Sequence, residues 1–356
     1  MMKAFTYIVL AAALVPAAGG AASAQVYPDR VRIATKARAV VESAYQRRNR
    51  DDNNREENTE RTTRTLKLGA DGLLALGNIA GDIAVTRASG QETTVEIVKT
   101  ARGRDANDVR EMLQLVQVEV TERAGRADVR TRYPRNDEQR NNRRNFNVSV
   151  AYNVAAPAGT RISIESISGN IKVTDIKGDV SANTVSGDVR ITGSGRINAA
   201  KTISGTVEIA DAQIDGALES SSVSGDVIMR RVTARRLDAS SVSGNIKFDD
   251  LQCDRVSAKS VSGSVAFVGA LVKNGRYDLG SFSGEVHLYL SGGTGFEIDA
   301  NSSSGDVRSD FDIVMRGAQT TNRRNGRRNV LSGTFGDGSA VLDLTTFSGS
   351  IIISKR

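Results

Sequence analysis

The chain has little of what usually builds a compact core. Aromatic residues make up 4% of its 356 residues, tryptophan is absent and cysteine occurs once. With so few rings, large side chains cannot supply the buried area of an ordinary globular interior. Many small β-branched side chains must supply it instead. The single Cys253 excludes an internal disulfide and is read as a small buried hydrophobe. Proline is limited to 4 residues while glycine reaches 34. One histidine, His287, is present. The chain lacks GGxGxD, HExxH and multiple-cysteine spacings, so no metal or cofactor is predicted.

Long apolar runs are also missing, except at the start. Lys3 provides a short positive region, Ala4 to Val15 an apolar stretch, and Ala22-Ser23-Ala24 a small-x-small cleavage pattern before Gln25. This stretch falls short of the ~20 residues that a membrane-spanning helix needs. Residues 1–24 are therefore read as a signal peptide, with no transmembrane anchor after cleavage. No cysteine lies at the cut, which excludes lipoprotein processing. The expected location is exported: periplasmic, cell surface or secreted.

Residues 25–65 read as a disordered charged linker, because Gln46 to Arg64 offers almost nothing apolar to bury. Residues 66–154 read as N-terminal strands and a cap. Val109, Met112, Leu113 and Val116 recur at helical spacing there and predict a short helix over 105–115. Residues 155–356 read as repeats, interrupted by an Arg/Asn/Gly-rich inserted loop at about 312–329.

The repeats are the dominant signal. One eight-residue phrase occurs nine times, as in SISGNIKV at 166, TVSGDVRI at 184, SVSGNIKF at 241 and TFSGSIII at 346. Its glycines stand at 169, 187, 205, 225, 244, 263, 284, 305 and 349. A period near 20 marks a solenoid. The second and fourth residues after the glycine are apolar in all copies but the one at 302, which has Ser309 in the fourth place, and Val, Ile or Phe precedes most Ser-Gly pairs. Period-two alternation assigns these side chains to the interior. Glycine suits a corner, where it takes positive φ or lets backbones approach closely. The serine before it is expected to bond backbone groups left unpaired by the turn. The predicted fold is all-β: a single-stranded parallel β-helix, or β-solenoid, with rungs of about 18–21 residues. The competing reading is an antiparallel sandwich; identical slots at a steady period favour stacking.

This S-V-S-G-D-V pattern resembles the putative-adhesin β-strand-repeat family of bacterial envelope proteins, and is similar to head-GIN and toast-rack domains. The run NFNVSVAYNVAAPAGTRISIESISGNIKV, from Asn145 to Val173, resembles that family's entry into the repeats. The likeness covers about 66–356 and is strongest over 145–310. It implies a β-helical repeat fold, an extracytoplasmic location and a non-enzymatic role.

Two function classes follow. The leading one is a non-enzymatic exported cell-envelope binding or scaffolding protein. The alternative is a glycan-active β-helix enzyme, a polysaccharide lyase or hydrolase, using Glu285 and Asp306 in successive rungs as a carboxylate pair ~5 Å apart. The bland reading of that pair is two solvated turn residues, and His287 reads as a surface histidine. With a net charge of +7, the basic clusters are the remaining candidates. Arg323, Arg324, Arg327 and Arg328 crowd the inserted loop, and Arg140, Arg143 and Arg144 the loop before the repeats. Asparagine, not an aromatic, interleaves with them, which speaks against specific nucleic-acid binding. Expected partners are anionic envelope polymers or another envelope protein, with self-association through the solenoid ends as a third reading.

Overall fold

The alternation in the repeats becomes a stack of short strands. The computed structural model describes residues 56–134, 146–315 and 329–356, all in the unit Arg55–Arg356. The segment 1–24 expected to be a signal peptide, and the expected linker as far as residue 55, lie outside the described residues. Each repeat places one strand before its Ser-Gly and one after. Arg161–Ser168 and Ile171–Thr174 pair in parallel with Asp179–Ser186 and Val189–Thr192. Such a layer is called a rung here and is named by its glycine.

Parallel in-register pairing turns each sequence slot into a column. The second residue after glycine runs as Ile83, Ile171, Val189, Val207, Val227, Ile246, Val265, Val286, Ile351 and Val307, all buried. The fourth residue forms a second buried column that includes Val173, Ile191, Phe248 and Phe267. The rungs turn again six residues after glycine. Asp175, Asp211, Arg231 and Asp250 take φ of 50–57° there, and Gly193 takes 68°. Positive φ is accessible to Asp and Gly, and is strained for Arg. Arg231 is anchored by a two-pronged bond to Asp211 of the preceding rung, at 2.6 and 2.9 Å. From the Gly205 rung onward the period lengthens, and a third side appears: Val232–Ala234 pairs with Ala212–Ile214 on one side and with Leu251–Cys253 on the other.

Two expectations need correction. The sheet is mixed, not uniformly parallel. At the first end, Val148–Ala156, Thr93–Gly103 and Glu56–Leu66 run antiparallel in succession, as do Gln117–Arg123 and Arg126–Arg132. At the other end Val330–Phe335 lies antiparallel to Phe296–Ser302 and to Val314–Met315. Antiparallel strands at the ends cover the row of unpaired backbone groups that a parallel rung would expose. Residues 56–65, read as linker from their polarity, form most of the strand Glu56–Leu66. An edge strand needs only backbone partners, so its exposed side chains stay charged. The helix Ala106–Leu115 packs on this end through Val109, Met112 and Leu113, with Asp105 as N-cap accepting from Asp108 N at 2.8 Å.

The second correction concerns order. Through the stack, the glycines run Gly81, Gly169, Gly187, Gly205, Gly225, Gly244, Gly263, Gly284, Gly349 and Gly305. The last rung in sequence is thus inserted next to last in space. Ala340–Thr346 pairs with Arg276–Ser281 on one side and with Phe296–Ser302 on the other. The opposite end is also out of sequence: Leu73–Ala80 pairs with Arg161–Ser168 inward and Arg126–Arg132 outward.

The glycine column has one common cause. A Cβ built on Gly169, Gly187, Gly205, Gly225, Gly244, Gly263, Gly284, Gly349 or Gly305 would stand inside contact distance of the carbonyl oxygen of the neighbouring rung's glycine. Only Gly81, Gly169, Gly187 and Gly205 of the column also need positive φ. Close approach, not backbone conformation, is therefore the general requirement. Gly244→Ala is expected to lower stability by about 3 kcal/mol through overpacking. Gly216→Ala, where nothing lies within 4 Å of the added methyl, is expected to be near neutral. Denaturant unfolding of both variants checks this; equal effects would remove close approach as the reason.

Ion pairs tie outward slots across rungs. Glu208 is held by Arg190 at 2.7 Å and by Arg230. Partial burial pushes its pKa up, but the two guanidiniums outweigh that and hold it below 4.5. A depressed folded pKa contributes stability above the unfolded value, and that stability is lost as pH falls through the folded one. The thermal midpoint is expected to fall on acidification below pH ~4. The Glu208→Gln variant is expected to start lower at neutral pH and to converge on the parent in acid. Parallel curves would contradict this assignment.

Candidate interaction edge

The phrase S/T-x-S-G builds one corner of every rung. Apolar residues five and seven positions before the glycine, such as Ala182 and Val180, point inward. The residue three before it therefore also points inward, and the residue two before it points out. The inward hydroxyl completes the corner by donating to the glycine carbonyl of the neighbouring rung. Thr202 reaches Gly187 O at 3.0 Å, Ser222 reaches Gly205 O at 2.9 Å, and Ser241 reaches Gly225 O at 3.0 Å. Ser260, Ser281, Thr346 and Ser302 continue the ladder at 2.8–3.0 Å. The bonding column is thus the first Ser/Thr of the phrase. The serine adjacent to glycine, expected to play this part, is exposed wherever the phrase pairs in the stack. At the first end Asn78 substitutes for the hydroxyl, donating to Val150 O at 2.7 Å and to Gly81 O at 2.9 Å. Asn78 thereby occupies the acceptor of Ser166, whose hydroxyl has no partner.

A second ladder locks the far side of the corner. The residue after glycine accepts from the backbone N–H of its counterpart one rung on. Asp188 N donates to Asn170 Oδ1 at 3.0 Å, Thr206 N to Asp188 Oδ1 at 2.8 Å, and Asn245 N to Asp226 Oδ1 at 2.8 Å. Between these ladders stands the outward residue. Ile167, Val185, Ile203, Val223, Val242, Val261, Phe282 and Phe347 are 44–56% exposed and occupy consecutive rungs. The rings of Phe282 and Phe347 stack at 4.8 Å, 3° from parallel, between the Gly284 rung and the inserted Gly349 rung. Ile79 extends the row at one end in a half-buried setting, and Ser303 ends it at the other.

These eight side chains correct the expectation that the apolar residue before Ser-Gly faces the interior. At ~80 Å² of apolar surface each, the row exposes on the order of 650 Å². That is comparable to the 300–600 Å² of the largest patch on a typical soluble monomer, a patch that is often functional. Scattered exposed hydrophobes need no explanation; a continuous line held by two hydrogen-bond ladders does.

The other sequence candidates fall as follows. Arg140, Arg143, Arg144, Arg323, Arg324, Arg327 and Arg328 lie outside the described residues. Glu285 and Asp306 do not occupy successive rungs, because the Gly349 rung separates them. Val286 N donates to Ser350 O at 3.0 Å and Asp306 N to Ser350 Oγ at 3.4 Å. Two rungs set the pair ~10 Å apart instead of ~5 Å, and each carboxylate has its own side-chain partner. Glu285 meets His287 Nε2 at 2.8 Å, and Asp306 meets Arg308 at 3.0 Å. His287 faces outward beside Tyr289, whose hydroxyl lies 3.4 Å from Nδ1. Cys253 is buried on the third side, where burial pushes its thiol up to about 11. A shallow depression of about 570 Å³ runs along that side, between the column Gln213, Thr233, Gln252 and the pair Asp215–Arg235. Among the described residues, no group of His, Cys, Asp and Glu side chains has metal-binding geometry.

Because the row is outside the core, its removal should leave the fold intact. Phe282→Ser, which loses the stacking on Phe347, is expected to lower stability by only about 1 kcal/mol. Phe248→Ser, in the buried column, is expected to cost at least ~3 kcal/mol. Thermal unfolding of the two variants separates surface from core; a large loss in Phe282→Ser would return the row to a structural role.

A model of the Toastrack DUF4097 family matches residues 73–354. Among solved structures, a putative adhesin from Bacteroides fragilis is 16% identical with a TM-score of 0.41, covering 83% of this chain and 97% of its own. A putative lipid binding protein from Parabacteroides distasonis is 14% identical with a TM-score of 0.46, covering 83% and 96%. A putative adhesin from the same organism is 11% identical with a TM-score of 0.43, covering 83% and 97%. No curated protein matches the chain.

Proposed function

Since the chain belongs to the Toastrack DUF4097 family, we propose that it is a non-enzymatic, exported binding or scaffolding module of the cell envelope, with the apolar corner row as its recognition edge. The observation that carries this reading is the row itself: eight exposed Ile, Val and Phe side chains, one per rung, on a corner fixed by hydrogen bonds at both flanks. Repetition of one slot on a hydrogen-bonded corner gives an edge whose backbone is already ordered before binding, which favours association. Export rests on the leader pattern at residues 1–24. Among the described residues, no helix is long and apolar enough to cross a membrane.

The seven arginines at 140–144 and 323–328 supply the proposed charge-based contribution. Guanidinium groups pair well with phosphate and carboxylate, so anionic envelope polymers are the partners they suit. The two contributions are separable. Changing Arg323, Arg324, Arg327 and Arg328 to Ser is expected to weaken retention on isolated envelope material and to flatten its salt dependence. Changing Phe282 and Phe347 to Ser is expected to weaken retention without altering the salt dependence. Retention unchanged by either set would remove the envelope-binding reading.

A further inference from the structure

The row's repeat restricts what can cover it. Its side chains rise once per rung, at the ~4.8 Å spacing of paired strands. An apolar partner with another period would fall out of step within a few rungs. A second copy of this chain carries the same period, the same apolar chemistry and the same rigidity. From this we propose that the corner row is a self-association edge, along which two copies pack row against row about a twofold axis. This deepens the proposed function by naming the occupant of the recognition edge, and it rests on that reading.

Area and residue order support one arrangement. Two rows of on the order of 650 Å² each bury ~1,300 Å² in total, within the 1,200–2,000 Å² of a specific protein interface. A closed pair formed from one patch is isologous, so the axis must cross the row at its midpoint. The midpoint lies between Val223 and Val242 in the row of eight. An axis there sets Val223 of one copy against Val242 of the other, and Ile167 against Phe347. Small side chains meet at the centre, and the stacked Phe282–Phe347 end meets the Ile167 end, so neither end is left uncovered. Ser303, in the last rung, marks where the row stops. The serines beside the row are exposed and uncharged, and most of the charged residues that flank it are already engaged: Asp188 and Asp226 accept backbone N–H groups, Glu285 meets His287, Lys201 meets Glu219 and Lys259 meets Asp278.

Sedimentation equilibrium of the purified chain tests the proposal. A concentration-dependent dimer is expected, and Val223→Asp with Val242→Asp is expected to raise its dissociation constant by about 100-fold or more. The unfolding midpoint and far-UV circular dichroism of that variant should match the parent. Should the aspartates disturb folding, Val223→Ser with Val242→Ser supplies the same test, since Ser303 already occupies this slot. A mixture of Val223→Cys chains and Val242→Cys chains is expected to crosslink between the two kinds in preference to either with itself. A monomer at every concentration, a dimer unaffected by the row variants, or crosslinking without that preference would overturn the proposal. If the chain is monomeric while row variants still lose envelope retention, the recognition edge stands and the second copy is discarded. Binding of phosphatidylethanolamine–phosphatidylglycerol vesicles through the row, by a monomer, would assign the edge to lipid instead.

Discussion

The structure depends on the contact of one glycine with the carbonyl oxygen of the next. At that corner the backbones of neighbouring rungs approach so closely that no side chain fits, and the approach recurs from Gly81 to Gly305. Everything else is phased by it. Because the glycines are superposed, the residues two and four positions on are superposed as well, and their side chains fill a narrow interior layer by layer. The low aromatic content follows, since Val and Ile are the right width for such layers. Phe248, Phe267 and Tyr277 enter only where the rungs are three-sided and wider, and there they meet edge to face at 5.3–6.5 Å.

The same phasing governs the polar chemistry. A hydroxyl three residues before glycine reaches the neighbouring glycine carbonyl, so an acceptor at the tight corner is satisfied. The residue after glycine meets the next rung's N–H for the same geometric reason. The corner is therefore saturated on both sides of the exposed apolar row. Its rigidity separates recognition from stability: the row can change without disturbing the ladders, and the ladders hold the row in place whatever it contains.

The repeated slots were legible because each is local and periodic. Val189 with Ile191, or Ile246 with Phe248, announces its inward phase within four residues, and Val109, Met112 and Leu113 announce a helix. The outward row was legible in principle. Val180 and Ala182 set the phase of the strand before the corner, and that phase places Val185 outside. Reading the apolar slot as interior ignored the change of phase at the glycine. The strand Glu56–Leu66 carried no hydrophobic signal, since an edge needs only backbone pairing. Rung order was beyond a local reading. The phrase at 346 carries the same slots as those at 281 and 302, so nothing in it says which neighbours it takes. The separation of Glu285 from Asp306 is a direct result of that order.

The inserted rung also sets the order of events in time. Thr346 bonds Gly284 across 62 residues of sequence, and Ser302 bonds Gly349 across 47. Ser281 and Ser302 share the register of Thr346, so the Gly284 and Gly305 rungs are matched to stack directly on each other while the closing segment is still missing. A chain made from its N-terminus thus carries a ready-made wrong neighbour for its penultimate rung. Closure at this end belongs to the slow, long-range part of folding, while the middle rungs zip up from adjacent sequence. The Gly349 rung follows both of its neighbours in sequence yet lies between them, so neither the Gly284 rung nor the Gly305 rung has its native partner until that later segment is in place.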